Sequence, residues 1–329
     1  MKQDTPPFMK NINLFNHVCG LMLVFITLTV IFPGDVNLFK KFSNYGVHIT
    51  LGLFAFSMLL FILNKKRLMF VTLACTTLLC LFLKNEGNIH LLLPQENEDD
   101  AISIAHINLN SHQMDLNAFS EYLMRLDADI ISLQEYSPNW DKVLENTLYE
   151  KYPHQLKESR IDPHGIALFS KLPMNSFRME YFGEKPCIIS EFLISTIPVV
   201  IYSTYITPPL DRINSRTADQ QWIGLAEKIQ NHHKPTIILG EFNEVYWSNR
   251  IRTFRSMNNL HNSRRDIMPS SLSVPFDHIF FTNDLECTFF KELMDDSGTK
   301  IGMAGKYQIN NAFRKNYKPT FSGIHAEEP

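Results

Sequence analysis

Long apolar stretches with few charges between them fill the first quarter of the chain. They run over residues 16–32, 47–63 and 68–83, and none contains Asp, Glu, Lys or Arg. Each is near the roughly 17–20 residues that an α-helix needs to cross a bilayer. The pattern predicts a membrane anchor of three transmembrane helices in residues 1–84. A cleaved signal peptide for the first stretch, or buried helices of a soluble core, are the alternatives.

Basic residues around these stretches predict the orientation of the anchor. One side of the membrane would carry Lys2, Lys10, Lys65, Lys66 and Arg67, and the other Lys40, Lys41 and Lys84. Because basic loops concentrate on the cytoplasmic side, the N-terminus is predicted to be cytoplasmic. The chain after residue 84 would lie outside the cytoplasm, as in a bacterial inner-membrane protein. Cys187 and Cys287 would then be in an oxidising compartment, where their pairing is left open.

The pattern changes at Ala101, where apolar and polar residues begin to alternate. Residues 85–100 are interpreted as an acidic linker, 101–309 as an α/β domain and 310–329 as a tail. Alternation or short apolar runs predict strands, and apolar spacing of three to four residues predicts helices. The predicted strands are 102–107, 129–133, 165–170, 187–195, 199–204, 236–239, 278–282 and 287–290, and the predicted helices are 115–126 and 216–231. This order favours packed sheets flanked by helices.

Composition excludes several classes of protein. Hydrophobic residues make up 45% of the 329 residues and charged residues 20%, which is not the composition of a disordered chain. The net charge of −3 gives no basic surplus, so nucleic acid remains possible as a partner but is not favoured. The five cysteines contain no CxxC pair that would indicate a zinc site.

Polar side chains lie at the ends of several predicted strands. They are Asn108, Glu135, Glu241, Asn243 and Asp277. Singly, such residues are typical of turns. Together they offer carboxylate and amide oxygens, which suit a hard cation such as Mg²⁺ that also keeps waters for a phosphate substrate.

Five segments resemble motifs of one superfamily, in the same order along the chain. They are Asp129–Glu135, Gly165–Pro173, Thr207–Pro209, Ile238–Asn243 and Pro275–Phe280. They are similar to those of the endonuclease/exonuclease/phosphatase superfamily, relatives of DNase I, and the layout resembles a bacterial membrane-anchored branch of it. The resemblance implies a four-layered α/β sandwich. It also implies hydrolysis of a phosphoester by in-line attack of water, with Mg²⁺ or Mn²⁺ as cofactor.

The resemblance also implies roles for individual residues. Glu135 and Asn108 would hold the metal ion. Asn108, Asn243 and Lys300 would bind the substrate phosphate. The catalytic group would comprise Glu241, Asn243, Asp277, Tyr205 and Lys300.

The sequence departs from the family pattern in three catalytic segments. Glu241 replaces the Asp of the family's "GDFN" segment, Tyr205 stands near a family histidine, and Thr299-Lys300 replaces an Asp-His pair. Loss of one acid–base group typically costs about 10²–10⁴-fold in rate. His325 is an alternative source of the missing histidine.

Two functional hypotheses follow. The first is a membrane-anchored phosphodiesterase or phosphatase with reduced or lost activity. The second is an inactive relative that binds a phosphorylated ligand, a lipid headgroup or a protein partner at the cell envelope. The arginines between positions 250 and 265 are either a phosphate-binding cluster or a solvated helix face.

Overall fold

The computed structural model divides the chain into two units. The described residues are 7–34, 36–87, 94–97, 100–109, 116–264, 273–295 and 298–317. A helical unit comprises residues 1–91, 244–253 and 264–276, and an α/β unit comprises residues 92–243, 254–263 and 277–329. The segments 244–253 and 264–276 lie inside the range 101–309 that the sequence assigns to one domain.

The apolar stretches form the helices of the helical unit. These are α1 (Pro7–Ile31), α2 (Asn37–Ser43), α3 (Gly46–Ile62) and α4 (Lys66–Glu86). Within the described residues, the segments Leu14–Ile31 and Lys66–Glu86 are long and apolar enough to cross a membrane, whereas Gly46–Ile62 is shorter. The three-helix anchor therefore stays a prediction, with two candidate spans by length and composition.

Buried threonine hydroxyls in the helical unit form hydrogen bonds within their own helices. The hydroxyls of Thr27, Thr50 and Thr72 each donate to the backbone carbonyl four residues earlier, at 2.8–2.9 Å. Such bonds satisfy a hydroxyl without a partner outside the helix. The outer surface is apolar: the side chains of Leu21 and Phe61 are 71% and 69% exposed. Contiguous exposed apolar surface of this kind marks a membrane or protein contact.

A segment from later in the chain packs within the same unit. Val245, Tyr246 and Trp247 are buried in a cluster with Val47 and Leu83. The indole N–H of Trp247 donates to the carbonyl of Ser43 at 2.8 Å. The helical unit therefore includes the residues that follow the "GEFN" segment of the sequence.

The described residues of the α/β unit form two six-stranded sheets. The first has the strand order β11-β12-β1-β2-β4-β3, and the second β5-β6-β7-β8-β10-β9. The strands are β1 (Ala101–Asn108), β2 (Ile130–Gln134), β3 (His154–Glu158), β4 (Ile166–Ser170), β5 (Ser176–Phe182), β6 (Lys185–Ile194), β7 (Ile197–Tyr205), β8 (Thr236–Glu241), β9 (Leu260–Asn262), β10 (Asp277–Thr282), β11 (Leu285–Met294) and β12 (Lys300–Ile309). The later helices are α5 (Leu116–Leu126), α6 (Pro138–Leu148), α7 (Arg212–Gln230), α8 (Asn249–Met257) and α9 (Asn311–Asn316).

Two cores explain the layering of this unit. Alternate residues of both sheets, including Ile104 and Ile201, form one core between the sheets. The intervening residues of the first sheet pack against Phe119 of α5 and Leu144 of α6. On the second sheet, Trp222 of α7 packs against Phe242. The arrangement is helix, sheet, sheet, helix, as the predicted four-layered sandwich requires.

The two cysteines of this unit do not form a disulfide. Cys187 and Cys287 are both buried and free. Cys287 belongs to the core between the sheets. The strand pairing places Cys187 opposite Thr204, among the residues of β7 that face away from that core. The two thiols therefore lie on opposite sides of the second sheet.

Candidate active site

Three predicted site residues lie in one row at an edge of the second sheet. Tyr205 ends β7, Glu241 ends β8 and Asp277 begins β10, and the backbone register pairs Glu241 with both of the others. Ile201 and Leu239, at even spacing before them, belong to the core between the sheets. Because side chains alternate along a strand, the row faces the same space between the sheets.

Asn108 reaches this space from the first sheet. Its amide nitrogen donates to Glu135 Oε1 at 3.1 Å and to Glu241 Oε2 at 2.5 Å. Buried Gln134, at the end of β2, links the sheets: it accepts a hydrogen bond from the backbone N–H of Glu241 at 2.9 Å and donates to the carbonyl of Thr204. These bonds hold two glutamate carboxylates around one amide.

The backbone is strained at two of these residues. Glu135 and Asn243 have φ of 57° and 53°, in the left-handed region. Asn tolerates this region, but Glu enters it rarely, and such residues cost about 1–3 kcal/mol each. Gly240 has φ of 147°, and a Cβ there would collide with the carbonyl oxygen of Thr204. The strained backbone therefore coincides with the convergence of polar side chains.

Asn243 is fixed by the loop that follows β7. Its amide donates to the carbonyl of Ile206 at 2.8 Å. It also hydrogen-bonds the hydroxyl of Tyr205. Asn243 thus joins the row that contains Tyr205 and Glu241.

Lys300 occupies the other end of the row, next to Asp277. Its ammonium donates to Asp277 Oδ2 at 3.0 Å and lies 3.7 Å from Glu292 Oε1. The side chains of Lys300 and Glu292 are only 6% and 4% exposed. Thr299 is exposed and binds Asp295 through its backbone N–H. The structure thus brings Lys300 to the site and leaves Thr299 outside, while His325 lies beyond the described residues.

The carboxylates of the row respond differently to burial. Burial raises the pKa of Glu241 to about 7, with a further contribution from the charge of Asp277. Burial would also raise the pKa of Asp277, but the Lys300 ammonium and His106 outweigh it, so this pKa lies below its usual range. Burial raises the pKa of Tyr205, followed by the charges of Glu241 and Glu135. At neutral pH the row therefore holds an ionised Asp277, a protonated phenol and a glutamate near its midpoint.

The family assignment rests on a direct sequence comparison. The profile of the endonuclease/exonuclease/phosphatase family matches residues 105–298. The chain belongs to this family. A search of curated proteins finds no match.

Solved structures of this family share the fold of the α/β unit. A humanized TDP2 of D. rerio has a TM-score of 0.53 at 13% identity, covering 64% of this chain and 99% of that one. A Bacteroides thetaiotaomicron family member has a TM-score of 0.53 at 15% identity, covering 64% and 98%. The mannosyl-6-phosphatase Bt3783 of the same species has a TM-score of 0.51 at 14% identity, covering 64% and 99%. At these identities the likeness establishes the DNase I-like fold.

The oxygen donors of the site fit the divalent cation that this family generally requires. Glu135 and Glu241 approach one amide of Asn108, and each carboxylate raises the energy of ionising the other. A cation would relieve this repulsion. No group of three or more His, Cys, Asp or Glu side chains placed for metal binding occurs among the described residues. This donor set suits Mg²⁺, which is often held by one or two carboxylates, waters and substrate phosphate.

Two histidines near the site are absent from the sequence prediction. His106, two residues before Asn108 on β1, is buried, with Nε2 3.7 Å from Asp277 Oδ1. The period of two along β1 is a signal that it shares the face of Asn108. His164, in the loop before β4, packs edge-on against Tyr205 with ring centroids 5.1 Å apart. No local pattern indicates this contact, because His164 lies in a loop of the first sheet and Tyr205 ends a strand of the second.

The described arginines at positions 250, 252 and 264, after the "GEFN" segment, contact other residues of the helical unit. Arg252 forms an ion pair with Glu86 at 2.9 Å, and Arg250 lies 3.9 Å from Glu244, both within the helical unit. Arg264 is buried with its guanidinium 5.9 Å from the ring centre of Tyr246. Arg265 lies outside the described residues. These contacts give Arg250, Arg252 and Arg264 structural partners, and a phosphate-binding cluster stays a prediction.

Proposed function

We propose that this protein is a membrane-anchored, metal-dependent phosphoester hydrolase that retains a low activity. The family membership and fold support a hydrolase. The observation that carries the proposal is the convergence of Asn108, Glu135, Glu241, Asn243 and Asp277 on one space between the sheets. A glutamate whose pKa is raised to about 7 at that point is typical of a general base.

The residues divide the chemistry as follows. Glu135 and Asn108 would hold Mg²⁺ or Mn²⁺, which would supply charge stabilisation at the phosphate. Ionised Glu241 accepts a proton from water as the water oxygen bonds to phosphorus and the bond to the leaving oxygen breaks. The leaving oxygen takes its proton from solvent. Asn243, locked by its bond to the Ile206 carbonyl, offers its amide to the phosphate or the water.

The low activity follows from Lys300. A family enzyme has a histidine there, whereas Lys300 gives a positive charge already shared by Asp277 and Glu292. Losing the proton transfer of that histidine accounts for a slowing of about 10²–10⁴-fold. This same contact favours the second candidate function, an inactive relative that binds a phosphorylated ligand.

The test is hydrolysis of bis(p-nitrophenyl) phosphate by the full chain in detergent, with Mg²⁺ or Mn²⁺. We expect slow release of p-nitrophenol that requires the metal and disappears in Glu135→Gln. Glu150→Gln, at an exposed position of the same unit, is the matched control and should retain the activity. Phosphate binding that depends on Glu135, without turnover in any variant, would favour the binding protein.

The anchor and its orientation are part of the proposal. Two helices of sufficient length and the exposed apolar surface of the helical unit support insertion into a membrane. The basic residues support an α/β unit outside the cytoplasm. One solved neighbour is named a mannosyl-6-phosphatase. Because its identity to this chain is only 14%, its substrate does not carry over, and we propose only that the bond cleaved is a phosphoester bond. Retention of the chain in membranes after alkaline extraction tests the insertion, and protease access to the α/β unit in intact spheroplasts tests the side.

A further inference from the structure

His164 is held rigidly beside the row of site residues. Its backbone N–H donates to Asp162 at 3.0 Å, and Arg160 grips the same Asp162 with two hydrogen bonds of 2.8 and 2.9 Å. Gly165, the next residue, lies so close to Tyr136 that a Cβ would collide with its carbonyl oxygen. The N–H of Tyr136 donates to the Gly165 carbonyl at 3.0 Å. The loop is therefore fixed to the strand end that carries Glu135.

The imidazole of His164 contacts the row through Tyr205. The two rings meet edge-on at 82°, with centroids 5.1 Å apart. Tyr205 in turn hydrogen-bonds Asn243 and lies in register with Glu241. One histidine is thus placed next to the position where family members carry a histidine and this chain carries Tyr205.

One ring nitrogen of His164 makes no hydrogen bond to the described residues. Nδ1 of His164 is buried and has no hydrogen-bond partner in the described part of the chain. The residue as a whole is only half-buried. A buried nitrogen without a partner is costly, and such groups tend to occur where they serve a function. Packing alone would be served as well by a phenylalanine.

The surroundings of His164 suit an anion. Burial lowers the pKa of His164 to about 4; the charges of Lys185 and Arg160 lower it further, and the carboxylate of Asp162 opposes them. The imidazole is therefore neutral at pH 7 and presents one N–H donor together with the field of Lys185. On the opposite side of the site, Lys300 is already shared between Asp277 and Glu292. The donors for a phosphate are thus more available on the His164 side.

We propose that His164 donates a hydrogen bond to a phosphoryl oxygen of the bound substrate, and so replaces from a neighbouring loop the histidine that is missing at position 205. The inference rests on the proposed function, since it concerns the same site. The bond strengthens as negative charge develops on the phosphate in the transition state. No proton is transferred, and the imidazole stays neutral throughout.

A pair of substitutions separates the donor from the packing. His164→Gln keeps an N–H donor but loses the ring, whereas His164→Phe keeps the ring against Tyr205 but loses the donor. We expect His164→Phe to lower kcat about 10²-fold with little change in KM, as for loss of one donor to a developing oxyanion. We expect His164→Gln to retain about ten times more activity than His164→Phe. The matched control is His232→Phe, which alters a second histidine stacked on a tyrosine, Tyr202, away from the row.

The measurements use the full chain in detergent with Mg²⁺: kcat and KM for bis(p-nitrophenyl) phosphate, and the Kd of orthovanadate. Higher kcat or tighter vanadate binding in His164→Gln than in His164→Phe, with His232→Phe equal to wild type, supports the hydrogen-bond donor. The proposal is overturned if His164→Phe equals wild type in both kcat and vanadate affinity, or if His164→Phe exceeds His164→Gln in them. If wild type shows no turnover, the proposed hydrolase fails, yet vanadate binding still decides between the two variants.

Discussion

Glu241 is expected to lower the stability of the metal-free protein at neutral and alkaline pH. It is buried beside the ionised Asp277, and its pKa rises to about 7 from an ordinary 4.5. Glu241→Gln removes the charge, and its side-chain carbonyl still accepts the hydrogen bond from Asn108. We therefore expect Glu241→Gln to stabilise the protein near pH 8 while it abolishes hydrolysis, because a glutamine cannot accept a proton from water.

The magnitude follows from linkage. The pKa of Glu241 is about 7 in the folded state and 4.5 in the unfolded chain, a difference of about 2.5 pKa units. At about 1.36 kcal/mol for each pKa unit, the upper bound is about 3.4 kcal/mol. Because the folded state binds more protons between these values, the free energy of unfolding falls as pH rises through that window. The glutamine variant lacks this loss, so its advantage is small near pH 5 and full near pH 8.

The assay is thermal unfolding of the full chain in detergent and EDTA at both pH values. Taking about 2–3 kcal/mol as the effect and about 2–4 °C per kcal/mol, we expect the Tm of the α/β unit to rise by about 4–12 °C near pH 8. Near pH 5 about a quarter of the effect remains, so the rise should be below about 3 °C. Glu150→Gln should leave Tm unchanged at both values. An equal rise at both pH values would refute the electrostatic argument, since better packing does not titrate.

Three further predictions concern other features of the site. Lys300→His restores the family's residue and is expected to raise kcat for bis(p-nitrophenyl) phosphate about tenfold or more, whereas a decrease would mean that the ammonium itself assists the reaction. Gly240→Ala should prevent folding of the α/β unit, as judged by size exclusion and circular dichroism, because the methyl group meets the backbone of β7; Gly52→Ala, which has open space around it, should fold normally. Millimolar Mg²⁺ should raise Tm near pH 8 in wild type by mass action but not in Glu135→Gln, and equal shifts in both would place the metal elsewhere.

Apolar spacing and short apolar runs in the sequence predict the elements that are buried on one or both faces. The predicted helix 216–231 corresponds to α7, and the predicted strand 165–170 to β4. Strands β3, β5, β9 and β12 are missing from the prediction. Most residues of β5 and all of β3 are partly or fully exposed, which leaves no apolar alternation to detect. In β12 the glycines at 302 and 305 interrupt the pattern, and its pairing with β1 depends on a partner about 200 residues away.

The residues of the site also differ in how far the local sequence predicts their position. Asn108, Glu135, Glu241, Asn243 and Asp277 follow or begin short apolar strands, so the sequence shows where they lie relative to a sheet edge. The contacts of Lys300 with Glu292 and of His164 with Tyr205 join elements that are distant in sequence. No local pattern carries such information. The sequence thus indicates which side chains reach the site, and the structure adds how their charges are shared.

That sharing of charge explains why the replacement of a histidine by Lys300 affects more than proton transfer. The ammonium is taken up by two buried carboxylates, Asp277 and Glu292, and contributes little to the space where a phosphate would bind. The remaining groups near Asn108 are the carboxylates of Glu135 and Glu241, which repel each other and any anionic substrate. A bound divalent cation would both relieve that repulsion and attract the phosphate. Stability and substrate binding should therefore depend on the metal together, so that Glu135→Gln loses both responses in one step.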